Sequence, residues 1–225
     1  MTVQTIPYKG IRKIIGEKMR ESLNTAVQAN HRLRVDMTAT TEYRAIYKQT
    51  TKRRLSFTDL ILKVTAVALK EFPIMNSELE DTNILLLDEV HIGIAIASEN
   101  GLFVPVIRNC DLKSLEEIDS TVLNLAEKAR TRRLPLSDMQ GGTFTVSNLG
   151  MFGLESFTAI INPPEVGILA VGAIIKTPVV INDNIVARPM MELSLTYDHR
   201  IVDGAPAAQF LARIKVLLED LSWCR

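Results

Sequence analysis

The stretch from Gly167 to Arg200 reads GILAVGAIIKTPVVINDNIVARPMMELSLTYDHR, and its reading decides the architecture. Gly167 to Lys176 is an apolar run rich in Ile, Leu and Val, which predicts a buried strand. Val179 to Arg188 places two apolar arms around Asn182-Asp183-Asn184, residues that accept the left-handed backbone of a tight turn, so a hairpin is expected. Met191, Leu193, Leu195 and Tyr197 then alternate with polar neighbours, the period-two pattern of a half-buried strand. Tight hairpins join antiparallel strands, which argues against a purely parallel, doubly wound sheet.

Outward from this stretch, helices and strands intersperse. Ile11, Ile14, Ile15, Met19 and Leu23 share one helical face, which predicts a helix over 11–25. Leu33, Val35 and Met37 alternate as in a strand, and 40–49 reads as a second helix. Ser56 with Asp59 and Ser114 with Glu117 have capping-box spacing, the first opening a helix that is apolar around most of its surface and should be buried, the second an amphipathic helix. Pro73 stops the first of these. Asn83–Leu87, Val90–Ala97 and Leu102–Ile107 are strand-like, the last two joined through Glu99-Asn100-Gly101, and Thr143–Ser147 is a further short strand. Pro206 suits the first turn of a closing helix lined by Ala207, Phe210, Leu211, Ile214, Leu217 and Leu221. The expected fold is α/β: a two-layer sandwich with a mixed sheet and helices on one face, formed as one domain over 1–225.

The 225 residues are 47% hydrophobic with 26 basic and 26 acidic side chains, so no net charge draws the chain to nucleic acid or an anionic membrane. No apolar run reaches the ~18 residues of a membrane span. Two cysteines, Cys110 and Cys224, make no disulfide framework and point to a reducing compartment, the cytoplasm or the mitochondrial matrix of a eukaryote. An uncharged, apolar-rich chain favours an oligomer.

Candidate chemistry is sparse. Of the three histidines, His91 lies in an apolar strand and His31 beside Arg32 and Arg34; both read as structural. His199 sits between a strand and a helix, in Tyr197-Asp198-His199-Arg200-Ile201-Val202-Asp203-Gly204, where a scaffold presents a general base. The bland alternative stays open: Asp203 caps the last helix and Arg200 makes a surface ion pair. Ser147, in Gly141-Gly142-Thr143-Phe144-Thr145-Val146-Ser147-Asn148-Leu149-Gly150, is either an oxyanion donor at a strand end or an ordinary turn serine. The glycines make neither a phosphate loop nor a dinucleotide fingerprint, and no metal-ligand spacing occurs. Cys110 reads as an inert thiol.

Together the blocks are familiar. Arg12-Lys13-Ile14-Ile15 with Met19, Ser56 to Lys63, Gly101 to Arg108, Gly141 to Gly150, Phe157 to Pro164 and His199 to Gly204 follow one another along the whole chain. In that order they resemble the catalytic core of the dihydrolipoamide acyltransferases, the E2 components of 2-oxoacid dehydrogenase complexes. The resemblance implies a fold related to chloramphenicol acetyltransferase and transfer of an acyl group between dihydrolipoamide and coenzyme A. It implies His199 as base and Ser147 as the oxyanion-stabilising hydroxyl, with Asp203 holding the histidine segment and Arg12 as an ion-pair partner for Asp203. Arg44, Lys63 and Arg108 are candidate cations for the phosphates of coenzyme A.

The resemblance also implies homotrimers that share active sites and assemble into a large hollow core. E1 and E3 components would be reached through regions absent here, since no lipoyl or subunit-binding domain is expected in this sequence. Trp223 either packs against a neighbouring subunit or closes the fold. Two departures stand out. Ala29-Asn30-His31-Arg32 occupies a segment that often contains Pro-His-Phe, and Ser147-Asn148-Leu149-Gly150 is closer to acetyl- and branched-chain transferases than to succinyltransferases. A catalytically silent structural homologue and an O-acetyltransferase for a small hydroxyl compound are the competing readings.

Overall fold

The computed structural model describes residues 3–98 and 101–224, so the turn expected at Glu99-Asn100 lies outside the described residues. In chain order the elements are α1 (Ile11–Thr25), β1 (Gln28–Asp36), α2 (Thr38–Thr51), α3 (Phe57–Glu71), β2 (Ser77–Glu80), β3 (Asn83–Leu86), β4 (Ile92–Ser98) and β5 (Gly101–Phe103). They continue with β6 (Val106–Ile107), α4 (Leu115–Arg130), β7 (Phe144–Asn148), β8 (Gly167–Val171), β9 (Ile175–Ile181), β10 (Asn184–Asp198) and α5 (Gly204–Glu219). The main sheet runs β1-β10-β8-β7-β4-β5, with β6 on β4 and β9 on β10, while β2 and β3 form a separate hairpin. β7 pairs in parallel with both β4 and β8, and the remaining ladders are antiparallel. The sheet is therefore mixed, as expected.

Local chemistry explains where the elements begin and turn. Both capping boxes close: Ser56 Oγ accepts from Asp59 N at 3.1 Å while Ser56 N donates to Asp59 Oδ2 at 2.7 Å. Ser114 and Glu117 repeat the exchange at 3.2 and 2.8 Å. Asn182 and Asp183 have φ of 48° and 63°, the pair of left-handed residues that a two-residue hairpin turn requires. Two expected strands are each split. Pro105, which has no N–H for a ladder, separates β5 from β6. Gly172 separates β8 from β9, because the 153–165 loop passes so close that a Cβ there would overlap the Glu155 carbonyl.

One core fills the space between the sheet and α3, α4 and α5. α3 contributes Leu60, Ile61, Leu62, Val64, Ala66, Ala68 and Leu69, all at most 1% exposed. Full burial of a Leu, Ile or Val side chain is worth roughly 1.5–3 kcal/mol, which accounts for the central place of this helix. From the sheet, Val35, Phe144, Val146, Leu169, Val171, Leu193, Leu195 and Tyr197 meet it. Their alternate neighbours turn to the other, helix-free face, where Ala95, Ser147, Ala170, Ser194 and Arg32 form a row across five strands.

α1 departs from expectation. It forms, but its apolar stripe does not enter this core: Ile14 and Leu23 are 64% and 56% exposed, and Ser22 is its one buried residue among the described side chains. The apolar stripe of this amphipathic helix is thus left uncovered. Trp223, by contrast, folds back on its own chain, donating from Nε1 to the Leu217 carbonyl at 2.9 Å. No helix among the described residues is long and apolar enough to cross a membrane.

Candidate active site

His199 follows the last residue of β10, and the chain then turns at once into α5. Its N–H donates to the Val27 carbonyl at 2.8 Å, which ties it to the start of β1. The flanking residues make a firm bracket. Asp198, 3% exposed, accepts from Arg200 Nε and Nη2 (2.6 Å to Oδ2), from Arg200 N at 3.0 Å and from Val27 N at 3.2 Å. A planar guanidinium gripping a buried carboxylate at two points fixes geometry as well as charge, so Arg200 is more than a surface ion pair. The hydrogen bonds to Asp198 hold the Arg200 guanidinium pKa above its usual value.

Asp203 is the N-cap residue of α5 by position, yet its side chain makes no capping bond. Its Oδ1 lies 4.0 Å from His199 Nδ1 instead. The carboxylate therefore faces the imidazole and can orient it. Asp203 stands beside His199 and not in an ion pair with Arg12, so the pairing expected by analogy does not form within the chain. The side chains of His199 and Asp203 are 45% and 89% exposed, which leaves this half of the site uncovered.

Ser147 is on the helix-free face of β7, 8% exposed, between Ala95 and Ala170 on the neighbouring strands. The turn after it is pinned: Asn148 Oδ1 accepts from Gly150 N at 2.9 Å, and Asn148 Nδ2 donates to Thr58 Oγ1 at the start of α3 at 3.1 Å. The register gives its distance from His199. Ser147, Ala170 and Ser194 lie side by side, and His199 is five residues beyond Ser194. At about 3.3 Å per residue along the strand and about 4.8 Å between strands, the two backbones are about 19 Å apart. The fold thus brings His199 and Asp203 together and holds Ser147 away from them.

The three cations read as phosphate ligands are already engaged. Arg44 donates from Nε to the Leu55 carbonyl at 2.6 Å and stacks on the Phe57 ring at 3.7 Å, and burial lowers its pKa. Lys63 donates to the carbonyls of Asp111 and Lys113, both at 2.7 Å, and Arg108 to those of Ser137 and Gln140. Lys63 and Arg108 therefore brace loops of their own chain. Cys110 is fully buried, which pushes its thiol up to about 12 and fits an inert residue. His91 is 9% exposed, with Nδ1 accepting from Asn109 N at 3.1 Å, as a structural histidine should be.

Two features escaped sequence reasoning. His31 lies against Tyr197, Nε2 to hydroxyl 3.0 Å, and the other side of that environment is His199. That contact follows from the β1–β10 register, which no linear pattern discloses. Glu165, 6% exposed, accepts from Thr145 Oγ1 at 2.6 Å and Asn162 Nδ2 at 2.7 Å. Burial pushes its carboxyl up to about 7. It lines a cavity of about 300 Å³ that also touches Asp198, Arg200 and Ile201, behind the His199 turn.

A two-layer sandwich with a mixed sheet is the fold class of chloramphenicol acetyltransferase. That enzyme superposes over 96% of this chain with a TM-score of 0.59 at 16% identity, a likeness of fold. Residues 1–223 match the family described as 2-oxoacid dehydrogenases acyltransferase (catalytic domain), and the chain belongs to it. The acetyltransferase component of the acetoin cleaving system of Bacillus subtilis is 41% identical over 96% of the chain and 56% of its own length. The mitochondrial succinyltransferase component of the 2-oxoglutarate dehydrogenase complex of Saccharomyces cerevisiae is also 41% identical, over 97% and 48%. The chain thus spans about half the length of the curated relatives it matches.

Among solved structures, the cubic core of a pyruvate dehydrogenase multienzyme complex superposes with a TM-score of 0.95 at 36% identity, over 99% of this chain and 94% of that one. Azotobacter vinelandii dihydrolipoamide acetyltransferase, studied for the roles of a serine, a histidine and an asparagine in its mechanism, gives 0.94 at 36% identity over the same shares. Its serine and histidine are 52 positions apart and its asparagine is 4 further on. Ser147, His199 and Asp203 keep both intervals, with an aspartate in place of the asparagine.

Proposed function

We propose that this chain transfers an acyl group between dihydrolipoamide and coenzyme A at a site assembled from two copies of itself. The observation that carries the chemistry is the shared spacing of Ser147, His199 and Asp203 with the serine, histidine and asparagine of the Azotobacter enzyme. The neutral imidazole of His199 takes the proton of the attacking thiol, whose ordinary pKa of about 8.5 asks for only a modest base. The sulfur attacks the thioester carbonyl, and Ser147 donates a hydrogen bond to the oxyanion that forms. As the carbon–sulfur bond to the leaving group breaks, the imidazolium returns the proton to the departing sulfur. Asp203 faces Nδ1 and steadies the imidazolium meanwhile.

Assembly follows from geometry that a lone chain cannot satisfy. A base and an oxyanion donor about 19 Å apart cannot meet one carbonyl, so His199 of one copy works with Ser147 of another. The half-exposed His199 and the uncovered stripe of α1 are surfaces such a neighbour covers. A trimer as the unit, with trimers as parts of a larger hollow core, is the assembly the family resemblance implies, and the likeness to the cubic core of a pyruvate dehydrogenase complex supports it. Acetyl or a branched-chain acyl group is the proposed cargo, a reading supported by the run Ser147-Asn148-Leu149-Gly150, which is closer to acetyl- and branched-chain transferases than to succinyltransferases.

Subunit mixing tests the shared site. Equal amounts of His199→Ala and Ser147→Ala chains, each inactive alone, are unfolded and reassembled together. With random assembly, about one site in four inherits an intact histidine and an intact serine from different chains. Recovery of about a quarter of wild-type activity supports the proposal. No recovery from mixed particles of normal size refutes a site shared between chains.

A further inference from the structure

We propose that His31 is a positioning residue for His199, acting through the ring of Tyr197; the proposal rests on His199 being the base. The antiparallel register sets Ala29 opposite Tyr197, and alternation puts His31 and Tyr197 on the same side of the sheet. Tyr197 is 1% exposed, so its hydroxyl has to find a partner within the protein. That partner is His31 Nε2, at 3.0 Å, with the two rings edge to face at a centroid distance of 5.1 Å. The same hydroxyl and the His31 ring lie against Gly204, the first residue of α5. His31 therefore decides where the outer end of the Tyr197 ring rests.

That ring forms one wall for the base. Tyr197 and His199 are two residues apart at the end of β10, with ring centroids 5.7 Å apart and planes tilted by 38°. Of the His199 side chain's surroundings, Asp203 at 4.0 Å is mostly exposed, whereas Tyr197 is buried in the core. The rigid constraint on the imidazole plane is thus the aromatic one, and His31 anchors it. A base displaced by a fraction of an ångström still binds substrate but meets the thiol proton less often, which lowers kcat and spares KM.

The test measures kcat and KM for coenzyme A in His31→Leu, His31→Gln, Tyr197→Phe and the double variant His31→Leu/Tyr197→Phe, alongside His199→Ala. His31→Leu, which fills the space without a hydrogen bond, should lose about tenfold in kcat with KM within about twofold of wild type. His31→Gln restores a hydrogen-bonding group and should recover most of the rate. Tyr197→Phe should match His31→Leu, and the double variant should be no worse than either, because both break one link. A wild-type kcat in His31→Leu, or defects that multiply in the double variant, overturns the proposal while an inactive His199→Ala leaves the base assignment standing. An active His199→Ala overturns the base assignment and this proposal with it.

Discussion

Replacing Glu165 by Gln should stabilise the protein, and by more as the pH rises. The carboxyl is 6% exposed and held by the Thr145 hydroxyl and the Asn162 amide, with Lys18 as a further charged neighbour. Burial is the dominant influence; the two hydrogen bonds and Lys18 oppose it, and the carboxyl still titrates at about 7 against an ordinary 4.5. Between these values the folded state holds a proton that the unfolded state has released. Stability therefore falls as pH climbs through that window, and above about 7 the whole cost of a buried carboxylate is felt. At about 1.36 kcal/mol per pH unit, a gap from 4.5 to about 7 is worth about 3 kcal/mol. Glutamine mimics the protonated form: its oxygen accepts from Asn162 and its amide donates to the Thr145 oxygen. Urea unfolding at fixed protein concentration should show the variant and wild type nearly equal near pH 5 and separated by up to about 3 kcal/mol near pH 8. A variant less stable than wild type at pH 8, or a difference that does not change with pH, refutes the reasoning.

Ser147→Ala should lower kcat by roughly 10²–10³ with little change in KM for coenzyme A, because its hydrogen bond strengthens only as the oxyanion forms; a pure KM defect contradicts the role. Arg200→Ala leaves the buried Asp198 carboxylate with backbone donors alone. It should cost roughly 1–3 kcal/mol in urea unfolding and lower turnover through a loosened His199 turn, and unchanged stability speaks against the bracket. With acetyl, isobutyryl and succinyl donors compared in one transfer assay, succinyl should be the poorest; a preference for succinyl overturns the assignment of cargo.

Features set by neighbouring residues were legible in the sequence. The capping boxes at Ser56 and Ser114, the turn at Asn182-Asp183 and the alternation leading to Tyr197 each depend on a few consecutive side chains. The split of 167–176 at Gly172 was not legible, because its cause is the carbonyl of Glu155 arriving from a distant loop. The hairpin strand Ser77–Glu80 was missed for a related reason: Ser-Glu-Leu-Glu has no apolar repeat, and its turn at Asp81 needs a φ of 52° on a non-glycine residue. In the site, His199 was visible as a histidine between a strand and a helix, and Ser147 as a strand-end hydroxyl that the family pattern then separated from an ordinary turn serine. His31 and Glu165 became meaningful only with register and burial, which are properties of the folded pairings. The engagement of Lys63 and Arg108 with loop carbonyls is likewise invisible to any count of cations.

The separation of Ser147 from His199 along and across the sheet has a consequence for the life history of the chain. On the proposed mechanism a newly made subunit holds its base and its oxyanion donor about 19 Å apart, so it would not squander an acyl thioester before it has found its neighbours. Turnover then behaves as a census of completed contacts. On progressive dilution, specific activity should hold constant while the particle is whole and collapse where subunits part, marking the concentration at which the assembly comes undone.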